Sequence, residues 1–151
     1  MSLDLPHAFN RGKLVAATLA GSWRQRPTGL LNISELQLNE ITPLLYNSGA
    51  GALGWWRLRQ TDLVATESAR LLQQVYRLQA LQSVQHEKKI EKVFRLLRES
   101  LIDAILLKEW VAAKHYPDHA LRSYGDIDIY IRPQHFKHPK EALSSPEASD
   151  C

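Results

Sequence analysis

Apolar side chains recur at intervals of three and four residues through the middle of the chain, which is the spacing of one face of an α-helix. This stripe begins at Leu71 and continues to Leu101. The pattern predicts helical structure from about Asp62 to Leu101. The centre of the segment, Gln82 to Lys89, is polar, so one bent helix and two consecutive helices both remain open.

A second helical segment is predicted to begin near Ser34. Ser34 and Gln37 have the spacing of a capping box, in which each side chain accepts a hydrogen bond from a free amide of the first turn. Apolar residues follow with a loose helical period that Pro43 interrupts, and Asn47-Ser48-Gly49 is a helix stop signal. A shorter apolar segment, Lys13 to Leu19, is also compatible with a helix.

Glycines punctuate the segment that follows the predicted stop. Residues 49–54 contain three glycines, at Gly49, Gly51 and Gly54. Because glycine is the most frequent residue in turns and loops, this composition predicts a loop before Trp55 and Trp56.

The pattern of apolar residues changes after Asp103. Ala104 to Leu107 is a short, continuous apolar run typical of a buried strand, and Glu109 to His115 is compatible with a short helix. Residues 126–131 alternate strictly between polar and apolar positions, as a strand with two different faces does. Pro133 is expected to end that strand.

Together these segments predict an α+β fold with about two strands. The expected organisation is a helical region at 1–101, a partial catalytic core at 102–133 and a tail at 134–151. The tail is rich in proline, serine and charged residues, and we predict that it is disordered because it has no apolar face to bury.

Composition and charge restrict the class of protein. The chain has 151 residues, a formal net charge of +3 and one cysteine, Cys151, so it cannot form an intrachain disulfide. Its start lacks the features of a secretory signal, and no apolar stretch approaches the roughly 20 residues that cross a bilayer. We therefore expect a cytoplasmic protein without a membrane segment. The small positive charge suits an anionic ligand but is too small to indicate nucleic acid.

Two carboxylates in the alternating segment are the main candidates for chemistry. The alternation places Asp126 and Asp128 on one face of the predicted strand, with Ile127, Ile129 and Ile131 on the other, where they are expected to anchor the strand in the core. Neighbouring carboxylates repel each other unless a cation compensates their charge. Magnesium commonly binds one or two carboxylates together with substrate phosphates, so the pair predicts a magnesium site.

Basic side chains near the predicted strand suit a phosphorylated ligand. Lys108 follows the apolar run, and Arg122 stands four positions before Asp126. Arginine offers a planar fork to phosphate and lysine a point charge. The combination indicates chemistry on a triphosphate, in which cations stabilise negative charge while a hydroxyl attacks.

The residues from Leu97 to Pro133 carry a resemblance to a known family. Ile105-Leu106-Leu107-Lys108, Tyr116-Pro117-Asp118, Arg122 and the run from Gly125 to Ile131 stand in the order in which the uncharacterised nucleotidyltransferase family has its motifs. This family is part of the polymerase-beta-like superfamily. The chain resembles it over most of residues 20–133, and the part from Lys108 to Ile131 is the specific one.

The resemblance implies a function and a site. A protein of this kind would transfer a nucleotidyl group from a nucleoside triphosphate to a hydroxyl acceptor, with Asp126 and Asp128 as the catalytic residues that hold magnesium. Lys108, Arg122 and Gly125 are assigned by us to nucleotide binding. Neither the acceptor nor the preferred nucleotide follows from the resemblance.

Two departures from the family pattern support an alternative function. Glu109 stands where the family has a glycine after the lysine, and the later strands that relatives possess are not found before Cys151. We therefore expect either a truncated, impaired enzyme whose core is completed by a partner or second copy, or a non-catalytic helical scaffold derived from such an enzyme.

Overall fold

The fold is a helical assembly with a small antiparallel sheet at one end. The computed structural model describes residues 5–22, 31–123 and 125–135. Its regular elements are α1 (Leu5–Leu19), α2 (Glu35–Asn47), α3 (Gly51–Leu58), α4 (Glu67–Glu99), β1 (Ala104–Leu106), α5 (Glu109–Ala113) and β2 (Ile129–Ile131). Short 3₁₀ helices span Asp62–Ala65, His119–Leu121 and Pro133–His135. The predicted α+β class is confirmed, while most of the predicted tail, residues 136–151, lies outside the described residues.

Helix α4 is one unbroken helix of 33 residues. Thr66 caps its start, because the Thr66 hydroxyl accepts a hydrogen bond from the Ala69 amide at 3.3 Å. The polar stretch from Gln82 to Lys89 does not end the helix, and Ser83 within that stretch is buried. Of the two arrangements that the sequence left open, the single helix is the one observed. No helix among the described residues is long and apolar enough to cross a membrane.

Local signals determine both ends of α2. The Ser34 amide donates to Gln37 Oε1 at 2.8 Å and the Gln37 amide donates to Ser34 Oγ at 3.3 Å, which confirms the capping box. The helix ends at Asn47, and Gly49 then adopts a φ of +75°, a conformation that favours glycine. The expected interruption at Pro43 is wrong, because the helix continues through it.

The predicted loop at 49–54 is also wrong, because α3 begins at Gly51. These glycines allow close helix packing. A Cβ atom on Gly51 would lie 2.9 Å from Val75 Cγ1 of α4, and one on Gly54 would lie 3.1 Å from Leu45 Cδ1 of α2. Glycine composition alone could not reveal this role, since it depends on neighbours that are distant in sequence.

The hydrophobic core lies where α2, α3 and α4 meet. Helix α1 is joined to it through Arg57, whose Nε donates to the carbonyl oxygen of Thr18 at 3.3 Å. The core side chains are largely or completely inaccessible to solvent: Leu38, Ile41, Leu45, Trp55, Leu58, Ala69 and Leu72.

A hydrogen bond from α4 holds the chain segment that leads to β2. The Tyr76 hydroxyl donates to Asp118 Oδ2 at 2.6 Å. The other oxygen of Asp118 accepts from the Ala120 amide at 2.8 Å and so caps the 3₁₀ helix His119–Leu121. Burial raises the pKa of Tyr76 to about 12, with the Asp118 hydrogen bond and charge adding to the effect and Arg59 opposing it.

We predict that Gly51→Ala destabilises the fold by about 1–3 kcal/mol, because the new methyl group overlaps the rigid, β-branched Val75. Gly12→Ala is the matched control. Gly12 lies in α1 with no atom within 4 Å of the added Cβ, so the better helix propensity of alanine should stabilise the protein by up to about 1 kcal/mol. Urea denaturation followed by circular dichroism measures both. Equal stabilisation by the two substitutions would contradict the observed packing.

We predict that the Tyr76 phenol stays protonated well above pH 10. Its pKa is about 12 in the folded protein and about 10 in the unfolded chain. The stabilisation is therefore complete below pH 10 and is lost as the pH rises through 12. The tyrosinate absorbance of the wild type minus that of Tyr76→Phe isolates this group, within the pH range where circular dichroism shows the fold intact. A midpoint near 10 would contradict the Asp118 contact.

Candidate functional site

The candidate site lies where the two strands stop pairing. Ala104, Ile105 and Leu106 pair with Ile131, Tyr130 and Ile129 respectively. One more bond follows, from the Leu107 amide to the Asp128 carbonyl oxygen at 2.9 Å. Beyond that bond the chain turns away into α5.

An unusual backbone conformation makes this turn. Lys108 has φ 54° and ψ −118°, although a positive φ is disfavoured for residues with a side chain. Strained backbone of this kind is often found at functional sites, where the surrounding structure maintains it. Because the chain turns away at Lys108, the segment before Asp128 has no partner strand, and β2 begins only at Ile129.

This geometry corrects the predicted strand at 126–131. Asp126 and Asp128 precede β2 and lie on irregular chain, with Asp126 exposed and Asp128 partly buried. Ile129 and Ile131, expected to anchor the strand in the core, are only half-buried. The alternating sequence predicted a strand of six residues. The length of a strand also depends on its partner, and here the last backbone hydrogen bond from the partner segment comes from Leu107.

Lys108 and Asp128 meet at this point. Lys108 Nζ lies 3.1 Å from Asp128 Oδ1. The Lys108 side chain is 68% exposed and the Asp128 side chain 36% exposed, so the ion pair stabilises the fold by only about 0–1 kcal/mol. Either group can therefore exchange this partner for a charged ligand at small cost.

Trp110 holds α5, the helix that directly follows the turn at Lys108. The buried Trp110 ring lies 5.9 Å from the His86 ring of α4 and 5.2 Å from the His119 ring, centroid to centroid. Trp110 therefore fills the space between α4, α5 and the 3₁₀ helix His119–Leu121. Glu109 is the first residue of α5, and its side chain lies outside what the structure describes.

Arg122 occupies a different position from the one that the sequence suggested. It lines a cleft of about 170 Å³ with Ser48, Gly49 and Ser123, next to the turn between α2 and α3. Its Nε atom is buried without a hydrogen-bond partner among the described residues. No ion pair joins Arg122 to Asp126 or Asp128 within those residues, so Lys108 meets Asp128 in the structure and Arg122 does not.

Asp126 and Asp128 supply two oxygen-donor side chains close in sequence. Within residues 5–22, 31–123 and 125–135, no group of three or more histidine, cysteine or carboxylate side chains is placed to hold a metal ion. A divalent ion at this pair would therefore need further oxygen ligands besides these two side chains. Gly125, which is exposed, immediately precedes the pair.

Sequence patterns missed a network that supports the site. Tyr76 holds Asp118, and the guanidinium of Arg59 stacks over the Trp56 ring at 3.1 Å from the ring centroid. Burial lowers the pKa of Arg59, and the nearby Tyr76 and Asp118 oppose the shift. The motif Tyr116-Pro117-Asp118 marked one member, but the partner on α4 is 42 positions away and no spacing rule connects them.

The whole region from α2 to β2 lies within one family match. The family model described as uncharacterised nucleotidyltransferase matches residues 34–147, which include Lys108, Arg122 and both carboxylates. No curated protein and no solved structure matches the chain. Because the family match covers well over half of the 151 residues, the chain belongs to the uncharacterised nucleotidyltransferase family.

Proposed function

We propose that this protein binds a nucleoside triphosphate with magnesium, in the cytoplasm, and transfers its nucleotidyl group to a hydroxyl acceptor. The observation that carries the proposal is the contact between Lys108 Nζ and Asp128 Oδ1 at 3.1 Å. It joins a phosphate-binding cation and a metal-binding carboxylate that are 20 positions apart in sequence. Membership of a nucleotidyltransferase family supports the reaction class.

Asp126 and Asp128 fit a magnesium ion by the chemistry of their donors. Both offer hard carboxylate oxygens, and both remain accessible at the end of the sheet. Bound magnesium would neutralise charge on the triphosphate and orient it for displacement. Two protein carboxylates leave coordination positions for phosphate oxygens, as a site that binds a metal–nucleotide complex requires.

Lys108 would change partner when the nucleotide binds. Without nucleotide, its ammonium compensates the charge of Asp128. When nucleotide is bound, its phosphates carry more negative charge than the single carboxylate of Asp128. The long, exposed lysine side chain can turn towards them without disturbing the core. Asp128 is then released to coordinate the cation, so nucleotide and metal binding are coupled.

The backbone at Lys108 and Gly125 determines where the phosphates approach. The turn at Lys108 lifts α5 away from β2, and Gly125 has no side chain to obstruct a ligand beside Asp126. We propose that Arg122, which lines the cleft beside the turn between α2 and α3, contacts a more distant part of the nucleotide.

The chemistry that follows is a displacement at phosphorus. The acceptor oxygen forms a bond to the α-phosphorus, and the bond from this phosphorus to the oxygen that bridges to the β-phosphate breaks. Pyrophosphate leaves, and the proton of the acceptor hydroxyl passes to a carboxylate or to solvent. Correct alignment and compensation of charge supply most of the rate enhancement in reactions of this class.

The outer face of the sheet is open to further chain. Ile105 and Tyr130 are directly paired and are 60% and 49% exposed, and Leu107 beside them is 40% exposed. Two strands form only a marginal sheet. We propose that additional chain, from a partner or a second copy, covers this face in the active protein.

A non-catalytic scaffold is the second candidate function. It is favoured by the same ion pair, because Lys108 and Asp128 satisfy each other's charges without a ligand. The helical core formed by α2, α3 and α4 also packs independently of the sheet. Nucleotide binding distinguishes the two candidates.

We predict that isothermal titration of the protein with a nucleoside triphosphate and magnesium gives measurable heat, and that Asp128→Asn weakens binding at least about tenfold. Asp103→Asn is the matched control, since it removes the same charge from an exposed position just before β1. Circular dichroism checks that each variant is folded. Absence of heat, or equal affinity in the wild type and Asp128→Asn, would favour the scaffold.

We predict that Lys108→Ala and Lys108→Gly weaken nucleotide binding equally but differ in stability. Both lose the ammonium, whereas only glycine adopts a φ of 54° without strain. Lys108→Gly should therefore be about 1–2 kcal/mol more stable than Lys108→Ala. Urea denaturation and nucleotide titration of the same two preparations measure these effects separately. Equal stabilities would show that the turn is not strained, and unchanged affinity would remove Lys108 from the site.

A further inference from the structure

Helix α4 presents a row of apolar side chains to solvent. Leu71, Leu78 and Leu81 are 41%, 57% and 66% exposed. They point away from the core, which α4 contacts through Ala69 and Leu72. Exposed leucines grouped on one face of a long helix are typical of an interaction surface.

The row follows a heptad pattern. The three leucines belong to a row whose steps alternate between four and three residues from Glu67 to Lys92, the spacing at which one helix pairs with another, and the other five positions of the row are polar or charged. Every position of this row is exposed except Lys92, which is partly buried. The row, named here the α4 seam, consists of Glu67, Leu71, Gln74, Leu78, Leu81, Gln85, Lys88 and Lys92.

The α4 seam is complementary to itself when two copies run in opposite directions. With Leu78 of one copy against Leu81 of the other, the same register places Gln74 against Gln85 and Leu71 against the aliphatic stem of Lys88. At the ends it places Glu67 against Lys92. All four layers follow from one alignment, because in antiparallel pairs the two alternating seam positions face each other.

Charges beside the seam support the same register. Arg70 and Glu91 are both exposed, and each flanks the seam on the same side. The antiparallel alignment brings Arg70 of one copy next to Glu91 of the other, twice in each pair. A parallel alignment would instead place Glu67 against Glu67 and Lys88 against Lys88, and like charges at such positions are unfavourable.

We propose that the occupant of the α4 seam is a second copy of this chain, paired antiparallel through α4. The axis of the pair lies between Leu78 and Leu81. At 1.5 Å per residue, the C-terminal end of each α4 is about 30 Å from that axis. The contact through α4 is independent of the proposed nucleotide chemistry and of any cover over the sheet.

The test is the mass of the protein in solution, measured by sedimentation equilibrium over a wide range of concentration. We expect a monomer–dimer equilibrium, and we expect Leu81→Glu to weaken the dimer at least about a hundredfold because each dimer loses two central leucines. Leu36→Glu is the matched control: Leu36 is 81% exposed on α2, outside the seam, and its substitution should leave the dimer unchanged. A monomer at every concentration, or equal loss with both variants, overturns the proposal.

A charge exchange tests the direction of pairing. Arg70→Glu or Glu91→Arg alone should weaken the dimer about tenfold, since each places like charges together at two positions. The double variant should restore it. Arg70 and Glu91 are about 32 Å apart along one helix, so restoration cannot arise within a single chain. A double variant as weak as the single ones overturns the antiparallel register.

Discussion

The pairing of β1 with β2 ends at one hydrogen bond, from the Leu107 amide to the Asp128 carbonyl, and the positions of Lys108 and the two carboxylates depend on how the chain leaves it. Lys108 turns the chain with a positive φ, which ends the ladder and brings its own ammonium to Asp128. A longer ladder would place the carboxylates on a regular strand face and direct Lys108 elsewhere. The backbone strain and the charged contact are thus two consequences of one turn.

The helices give this turn a firm support. Helix α4 contacts the core through one face and holds Asp118 through Tyr76 and Trp110 through His86. Asp118 fixes the segment before Arg122, and Trp110 fixes the helix that follows Lys108. The two strands hold each other through three residue pairs, and α4 holds the segments between them.

Local signals in the sequence predicted the features that depend on neighbouring residues. The capping box at Ser34, the stop at Gly49 and the extent of α4 follow from interactions within one or two turns. Local residue patterns are therefore sufficient to predict them. The loop predicted from the glycines of α3 was wrong because these glycines allow close contact with Val75 and Leu45, which are distant in sequence. The length of β2 was overestimated for the same reason, as it depends on where its partner turns. The domain boundaries at 1–101, 102–133 and 134–151 stay predictions.

Candidate residues were easier to find than their arrangement. Asp126, Asp128 and Lys108 could be selected from residue type and spacing, and the structure places Lys108 and Asp128 in contact. Arg122 was selected by its distance along the chain, yet it lines a cleft beside the turn between α2 and α3, and distance along the chain does not determine which neighbours a side chain meets. Tyr76 could not have been selected, since its role exists only through the fold.

Manganese binding tests the carboxylate pair most directly, because manganese accepts the same oxygen ligands as magnesium and broadens the nuclear magnetic resonance signals of nearby amides. With a nucleoside triphosphate present, we expect broadening centred on the amides of Asp126 to Asp128 and extending to Lys108. Broadening centred on the acidic residues of α2 or α4, with these amides unaffected, would contradict this expectation.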